Sequence, residues 1–502
     1  MPLSPFVVVL HGLVSQECRA YLPGKHEVRV VLGGIADGLT RGVEGTVNSV
    51  SAALFEPVVR LGVTGLSRAG KTVFITSLVA NLLNRQKMPG LRAVAEGRVG
   101  AVFLQPQPDD TVPRFEYERH LACLAGEEPI WPENTRGISE LRLSFRVNGT
   151  GVFSGLAGPK TLHLDIVDYP GEWLLDLGLL DKSYSQWAAE IISKLPERKP
   201  AGLFAAELQK IDANAPFDEV TAKSLAATYS DYLLNARDAG LSDCTPGRFL
   251  LPGDLKGSPV VTFAPLSIEP EKAFPRGSLG REFERRFEAY KRQVVKPFFR
   301  DHFSKIDRQI VLMDVLGAIH SGPRAVEDMR RAMAEILGAF RPGRNAFLSQ
   351  IFLGKRVEKI LFAATKADHL HHKQHPALTA IAEAMLQDAK TRAEFSGAVT
   401  KAMSMASLRT TTEDMIEKDG RKLEVVKGKL LDTGQFAALY PGRLPDDPAR
   451  LLAEAGEGGE KWLNADFNAM RFSPRSLQRS GEGLPHIRLD NAVEFLLGDR
   501  LR

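Results

Sequence analysis

The chain has 502 residues, 44% of them hydrophobic and 25% charged, with a formal net charge of +4, which describes a folded chain too long for one ordinary core and too weakly basic to demand a nucleic-acid partner. Its three cysteines, Cys18, Cys123 and Cys244, lie far apart without a C-x-x-C pair, which excludes a disulfide framework and a cysteine zinc site and favours a reducing compartment. No apolar run approaches the roughly 20 residues a membrane span needs, and Phe6–Leu10, broken by His11-Gly12 and preceded by no basic stretch, is a poor signal peptide, so a cytoplasmic location is expected.

Residues 1–50 are read as a leader, of which residues 1–45 are Gly-rich without helical or alternating pattern, as a poorly ordered extension or an unused upstream start would be. Residues 46–57 suit a short helix running into the first strand. From Val58 the chain reads as a β-rich apolar run, then Gly65-Leu66-Ser67-Arg68-Ala69-Gly70-Lys71-Thr72, then a helix with Phe74, Leu78 and Leu82 at helical spacing. The loop fits G-x-x-x-x-G-K-[ST] with the strand before and the helix after that this motif requires. Gly65 and Gly70 permit backbone conformations closed to other residues, so consecutive amides from Gly65 to Val73 can turn around an anion at the positive end of the helix. Lys71 is expected to reach the β- and γ-phosphates and Thr72 to offer its hydroxyl to Mg²⁺.

Gln86–Gly90 reads as a turn, and residues 91–134, punctuated by prolines, as irregular apart from a short helix near Phe115–Leu124. Glu140–Val147 alternates like a half-buried strand, Asn148-Gly149 opens a long hairpin connection, and Thr161–Val167 returns to end in Asp168-Tyr169-Pro170-Gly171. A carboxylate at that strand end can hold Mg²⁺, while the amide of Gly171 can sense a γ-phosphate. Residues 173–305 read as an inserted helical domain, with helices at Trp173–Leu195, Ala201–Ile211, Phe217–Ala239 and Glu282–Phe299 and a short extended piece at Pro259–Ala264. Its last helix stacks Phe283, Phe287, Tyr290, Val294 and Phe298 on one side with arginines and lysines nearby; a packed helix with a solvated face is favoured over a membrane-surface or partner-binding helix.

The nucleotide domain resumes over residues 306–502. Gln309–Leu316 reads as a strand buried on both sides, Ala325–Phe340 as a helix and Val357–Ala364 as the next strand, which delivers Thr365-Lys366-Ala367-Asp368. The Asp368 carboxylate can accept from guanine N1–H and the exocyclic amine, a donor pair adenine lacks, and the stem of Lys366 can lie along the purine face. The histidines at 369, 371, 372 and 375 could hold a metal, although their spacing matches no standard zinc site. A helix at Pro376–Lys390 and a strand from Ala398 follow, and the exit loop at Ala406 and Ser407 suits a backbone contact to the base edge. Residues 411–480 read as a further insertion with a hairpin around Leu423–Phe436, and Ile487–Leu497 as the closing helix. The expected fold is α/β: a P-loop G domain, with a mixed, mostly parallel sheet, over residues 51–172 and 306–502, interrupted by the helical insertion at 173–305.

Gly65–Thr72, Thr135, Asp168–Gly171 and Thr365–Asp368 resemble, in order, the nucleotide motifs of GTPases. The phrases Val-Thr-Gly-Leu-Ser-Arg-Ala-Gly-Lys-Thr, Trp-Pro-Glu-Asn-Thr-Arg and Asp-Tyr-Pro-Gly-Glu-Trp are similar to those of the bacterial YcjX-like family of stress-associated P-loop proteins over most of residues 50–500. The resemblance implies a Ras-like G domain with large insertions, GTP/GDP with Mg²⁺, a cytoplasmic location extending to the periphery of the inner membrane, a role in envelope or stress response and a membrane-protein partner or client. It implies that Thr135 is the switch residue reaching Mg²⁺ and the attacking water. Glu172 stands where GTPases usually carry a glutamine, and a carboxylate near a γ-phosphate is repelled unless protonated or turned away. The loop around Arg68 is similar to the Gly-x-x-Arg-x-Gly-Lys-Ser loop of guanylate-binding and atlastin GTPases, whose arginine acts as an internal arginine finger; here Arg68 either swings onto the phosphates, with a partner or a second copy closing the site, or faces solvent. A slow GTPase switch is preferred to a P-loop ATPase or a non-catalytic, nucleotide-stabilised scaffold, and nucleic acid is not expected as a partner.

Overall fold

The computed structural model describes residues 56–66, 69–133, 137–149, 159–267, 273–340, 357–392, 397–418, 421–457, 471–475 and 483–502. Ser67, Arg68, Thr135 and the leader therefore lie outside the described residues. Within Glu56–Arg502 the chain forms one unit.

Strand β1 (Val58–Gly65) is followed by helix α1 (Lys71–Asn84), strand β2 (Val99–Gln105), helix α2 (Tyr117–Ala125) and strands β3 (Ser139–Val147) and β4 (Lys160–Asp168). Helices α3 (Tyr184–Lys194), α4 (Glu219–Asp238) and α5 (Leu279–Tyr290) come next, joined by longer segments that hold short helices and 3₁₀ turns. Strand β5 (Arg308–Met313) leads into α6 (Val315–Ser321) and α7 (Pro323–Ala339), then β6 (Lys359–Ala364), α8 (His375–Arg392) and β7 (Val399–Ser404). A small meander of β8 (Thr412–Lys418), β9 (Arg421–Lys429) and β10 (Phe436–Leu439) precedes α9 (Pro448–Glu457) and α10 (Leu489–Leu497).

The main sheet has seven strands in the order β2-β3-β4-β1-β5-β6-β7. β4, β1, β5, β6 and β7 run parallel; β3 pairs antiparallel with β4, and β2, antiparallel to β3, runs in the same direction as the other five. The fold is thus a mixed α/β P-loop fold. Register matters more than order for function: Val63 lies beside Asp168, Gly65 beside Leu312, Met313 beside Ala364, and Ala364 beside Ser404. The loops that carry chemistry therefore leave one edge of the sheet together.

Alternation along each strand divides the apolar residues between two cores. Val59, Leu61, Val63, Ile310, Leu312, Leu361 and Ala363 face α1 and α10. Val311, Met313, Ile360, Phe362 and Ala364 face the other side, where they join Trp187, Tyr229, Phe263, Phe283 and Phe287 of the helical layer. The helices of residues 173–305 thus share their core with the sheet. The stripe Phe283, Phe287, Tyr290, Val294 and Phe298 is buried. Its arginines are partnered: Arg281 with Glu284, Arg285 with Glu282, and buried Arg286 with Glu219 and Glu282. Its apolar side is turned into the protein, so the packed-helix reading holds.

Four local expectations change. The helix expected over Trp173–Leu195 is broken, since Lys182 and Ser183 are extended and the Ser183 side chain caps α3. The stretch read as irregular contains β2, an edge strand that pairs with β3 through Ala101–Gln105, with a register shift after Val99. Pro259–Val261 is a single 3₁₀ turn, because Pro259 opens a turn whose 261 and 262 amides bond back to Ser258 and Pro259. The apolar run from Gln309 stops being a strand at Met313, since the Asp314 side chain accepts the Gly317 amide at 3.0 Å and caps α6. The expected hairpin is present as β9–β10, with β8 added on its other side.

α10 closes the α1 face. Asp490 Oδ2 accepts the Gly90 amide at 2.7 Å, and the fully buried guanidinium of Arg308 reaches the Leu496 carbonyl at 2.9 Å and Asp499 at 2.9 Å.

Candidate nucleotide site

β1 ends at Gly65, and the Leu66 amide donates to the Leu312 carbonyl at 2.9 Å, which ties the loop to the neighbouring strand. Gly70 caps α1 with φ +82, a left-handed conformation that favours glycine. The Phe74 amide bonds back to Gly70, so the earlier amides of α1 point out of its N-terminus towards whatever the loop encloses. Lys71 and Thr72 open the helix, with Thr72 5% exposed.

Across from them β4 delivers Asp168, which is fully buried. Lys71 Nζ lies 2.9 Å from Asp168 Oδ1. Neither carboxylate oxygen takes a hydrogen bond of acceptable angle from the described residues. A buried carboxylate whose described partner is a single lysine ammonium is unusual, because such groups normally collect several donors. Ser139, which pairs with Asp168 across β3 and β4, also has a buried hydroxyl with no hydrogen-bond partner among the described residues. This polar pocket beside the helix start is chemically suited to a hard divalent cation with oxygen ligands.

The segment after Asp168 is wedged. A Cβ on Gly171 would stand 2.2 Å from the Gly65 carbonyl oxygen, 2.7 Å from its carbon and 3.1 Å from Thr64 Oγ1. Close approach, not an unusual φ, fixes glycine here, since φ is −65. Glu172 then opens a short helix to Leu175. On its far side, a Cβ on Gly247 would meet the Glu172 carbonyl at 2.3 Å. The Gly247 amide donates to Asp176 Oδ1 at 2.7 Å, Tyr290 donates to Asp176 Oδ2 at 2.5 Å, and the Arg248 guanidinium lies 3.3 Å from the centre of the Trp173 ring. Burial raises the Asp176 carboxyl to about 7, with the bonds from Tyr290 and Gly247 opposing. The loop after β4 is thus packed between the phosphate-loop backbone and the helical layer.

β6 delivers the third group. Thr365 bonds to the Met313 carbonyl through its amide at 2.8 Å and its hydroxyl at 3.2 Å. Lys366 adopts φ +60 and pairs with Asp314. Asp368 is 3% exposed, and its Oδ2 accepts the Thr410 amide at 2.8 Å and the Thr410 hydroxyl at 2.7 Å. Thr411 donates to the Asp368 carbonyl. His375 Nε2 lies 2.7 Å from the Ala367 carbonyl, which holds the turn from its other side. In the neighbouring loop the Ala406 amide donates to the Ile487 carbonyl at 3.0 Å, so that amide is engaged within the protein, and Ser407 is buried beside it. Thr410, Thr411, Asp314 and Gly247 escaped the sequence reading. The run of three threonines from Thr410 to Thr412 after a small-residue loop was its one local signal.

A parallel-centred sheet with a P-loop at β1, a buried acidic group after β4 and a Thr-Lys-x-Asp turn after β6 defines a GTPase-type P-loop protein. The chain matches the family model described as "YcjX-like family, DUF463" over residues 59–501 and belongs to that family. It is similar to "Ras-like GTPase YcjX" of Escherichia coli (strain K12), 39% identical over 461 residues that cover 88% of this chain and 96% of that protein. It is also 35% identical over 467 residues to "Ras-like GTPase YcjX" of Shewanella oneidensis, covering 88% of this chain and 94% of that one. Among the described residues no helix is long and apolar enough to cross a membrane.

Proposed function

We propose that the protein binds GTP and GDP with Mg²⁺ and hydrolyses GTP slowly as a molecular switch. The observation that carries this reading is the buried Asp168 carboxylate, which faces Lys71 Nζ at 2.9 Å and takes no other hydrogen bond from the described residues. A site shaped that way is incomplete without a cation and an anion. On nucleotide binding Lys71 exchanges its carboxylate for the β- and γ-phosphates at the N-terminus of α1, where the helix amides before that of Phe74 take no bond within the helix. Thr72 and Asp168, joined by Thr135, are the groups we assign to Mg²⁺, which supplies charge neutralisation on the phosphate oxygens when bound.

The amide of Gly171 stands against the phosphate loop and is the natural sensor of a γ-phosphate. Asp368 reads the guanine edge, with Thr410 fixing the carboxylate's rotation, and the aliphatic stem of Lys366 covers the purine. The likeness to proteins named Ras-like GTPase supports the guanine preference. Roles for Arg68 as an internal arginine finger and for Glu172 near the attacking water belong to the same proposal. So do a stress-response function and docking of a client on the helical layer, supported by family likeness alone. Competition binding tests the reading: GDP should displace a fluorescent guanine nucleotide at least a hundredfold better than ADP, and Asp368→Asn should erase the difference. Equal displacement by ADP in the unmodified protein would sink it, and tight binding without turnover would reduce it to a scaffold.

A further inference from the structure

His371, His372 and Glu413 stand apart from the phosphate site, on the loop that follows Asp368 and on β8. One donor atom from each lies within 4.8 Å of the others. His372 Nδ1 is 2.5 Å from Glu413 Oε2, and His371 Nε2 is 3.9 Å from the same oxygen. The two imidazole rings face each other with centroids 4.3 Å apart and planes 34° apart. We propose that these three side chains bind one divalent d-block cation, Zn²⁺ by preference, with water completing a four-coordinate shell.

The geometry is close to what such an ion asks for. Ligand atoms at roughly 2.0–2.1 Å from a tetrahedral zinc stand about 3.3 Å apart. The observed 2.5 and 3.9 Å straddle that value, so these two separations change by under about 1 Å on binding. Two nitrogens and one carboxylate oxygen select a borderline cation over Mg²⁺ or Ca²⁺, which prefer all-oxygen shells. His371 is buried at 5% exposure and so is already held, whereas His372 is exposed and free to adjust.

The surroundings set the terms. Glu413 and Glu424 share the face of the meander turned to this loop, and Lys373 is neutralised by Glu424 at 2.6 Å. Arg409 lies 3.5 Å from Glu413 Oε1, the oxygen that the histidines do not use, and it lowers affinity without blocking the site. The Lys373 amide sits 3.4 Å from His371 Nδ1, a long contact that a metallated ring gives up readily. The spacing of the four histidines at 369, 371, 372 and 375 matches no standard zinc site. The missing ligand comes from β8, which the sequence did not disclose as a strand.

Bound metal would staple the residues after Asp368 to the strand that begins just beyond Thr410. The site does not depend on the nucleotide reading, and it can be measured with the phosphate site filled. Full-length protein saturated with GDP and Mg²⁺ is titrated with Zn²⁺ against a chromophoric chelator, and separately with Co²⁺ while the visible spectrum is followed. One equivalent should bind, with the intense visible bands of a tetrahedral cobalt site. His372→Ala and Glu413→Gln, both at partly exposed positions, should each weaken binding at least tenfold while keeping the thermal unfolding profile of the metal-free protein. Absence of stoichiometric binding, or binding unchanged in both variants, would overturn the proposal.

Discussion

Gly171 gives the sharpest test of how the phosphate loop and the segment after β4 are coupled. Gly171→Ala adds one methyl group, and that methyl meets the Gly65 carbonyl oxygen at 2.2 Å and its carbon at 2.7 Å. Both are backbone atoms, which cannot rotate away as a side chain can. Overpacking of this kind typically costs about 1–3 kcal/mol. If relief comes by displacing Gly65, the cost falls on the loop that cradles the phosphates, and GDP affinity should drop by about 5- to 150-fold. Isothermal titration of GDP in excess Mg²⁺ reads this directly. Gly202→Ala is the control, since Gly202 sits in α-helical conformation and a Cβ there meets nothing within 4 Å. GDP affinity within twofold of the parent protein for Gly171→Ala would refute the wedge, as would an equal loss in Gly202→Ala.

Three further outcomes are expected. Arg68→Ala should slow single-turnover GTP hydrolysis by far more than tenfold at matched occupancy, because an arginine finger is worth about 10³ or more; a smaller loss removes that role. Thr410→Val keeps the shape but deletes one donor to Asp368 Oδ2, so guanine nucleotide affinity should fall by about 5- to 10-fold while phosphate-only ligands such as pyrophosphate are unaffected. Asp176 shifts from 3.8 unfolded to about 7 folded, so the folded chain keeps a proton that the unfolded chain has lost between those values. The stability this contributes is present in full below about pH 4 and is lost as pH rises through about 7, by at most about 4 kcal/mol. Asp176→Asn should flatten that slope in urea-unfolding measurements at pH 4.5 to 7.5, and an unchanged slope would show that another group sets it.

The strand ends were legible because each apolar run stops at a polar residue with a job: Gly65 before the loop, Asp168 after Val167, Thr365 after Ala364. Local pattern carries that information without knowledge of neighbours. β2 was not legible, since Val99-Gly-Ala-Val-Phe-Leu-Gln105 contains a glycine and sits half exposed at an edge, where alternation is weak. The stripe on α5 correctly announced a buried face, but periodicity cannot say what covers it, and the sheet itself does. Long-range partners were invisible for the same reason. Nothing near Asp368 in the sequence indicates that Thr410 will orient its carboxylate, and nothing near Glu172 points to Gly247.

The closure of the α1 face by α10 bears on how the protein is made. Gly90 and Asp490 are joined across 400 positions of chain, and Arg308 finds its carbonyl partner at Leu496. Contacts of such separation form only after a large loop has closed, which is slow. During synthesis the strand and helix that flank Lys71 emerge early yet lack their outer cover until residues near 497 have left the ribosome. Until then the apolar core that α10 joins stays incomplete on that face, so the nascent protein should lean on chaperones for most of its translation.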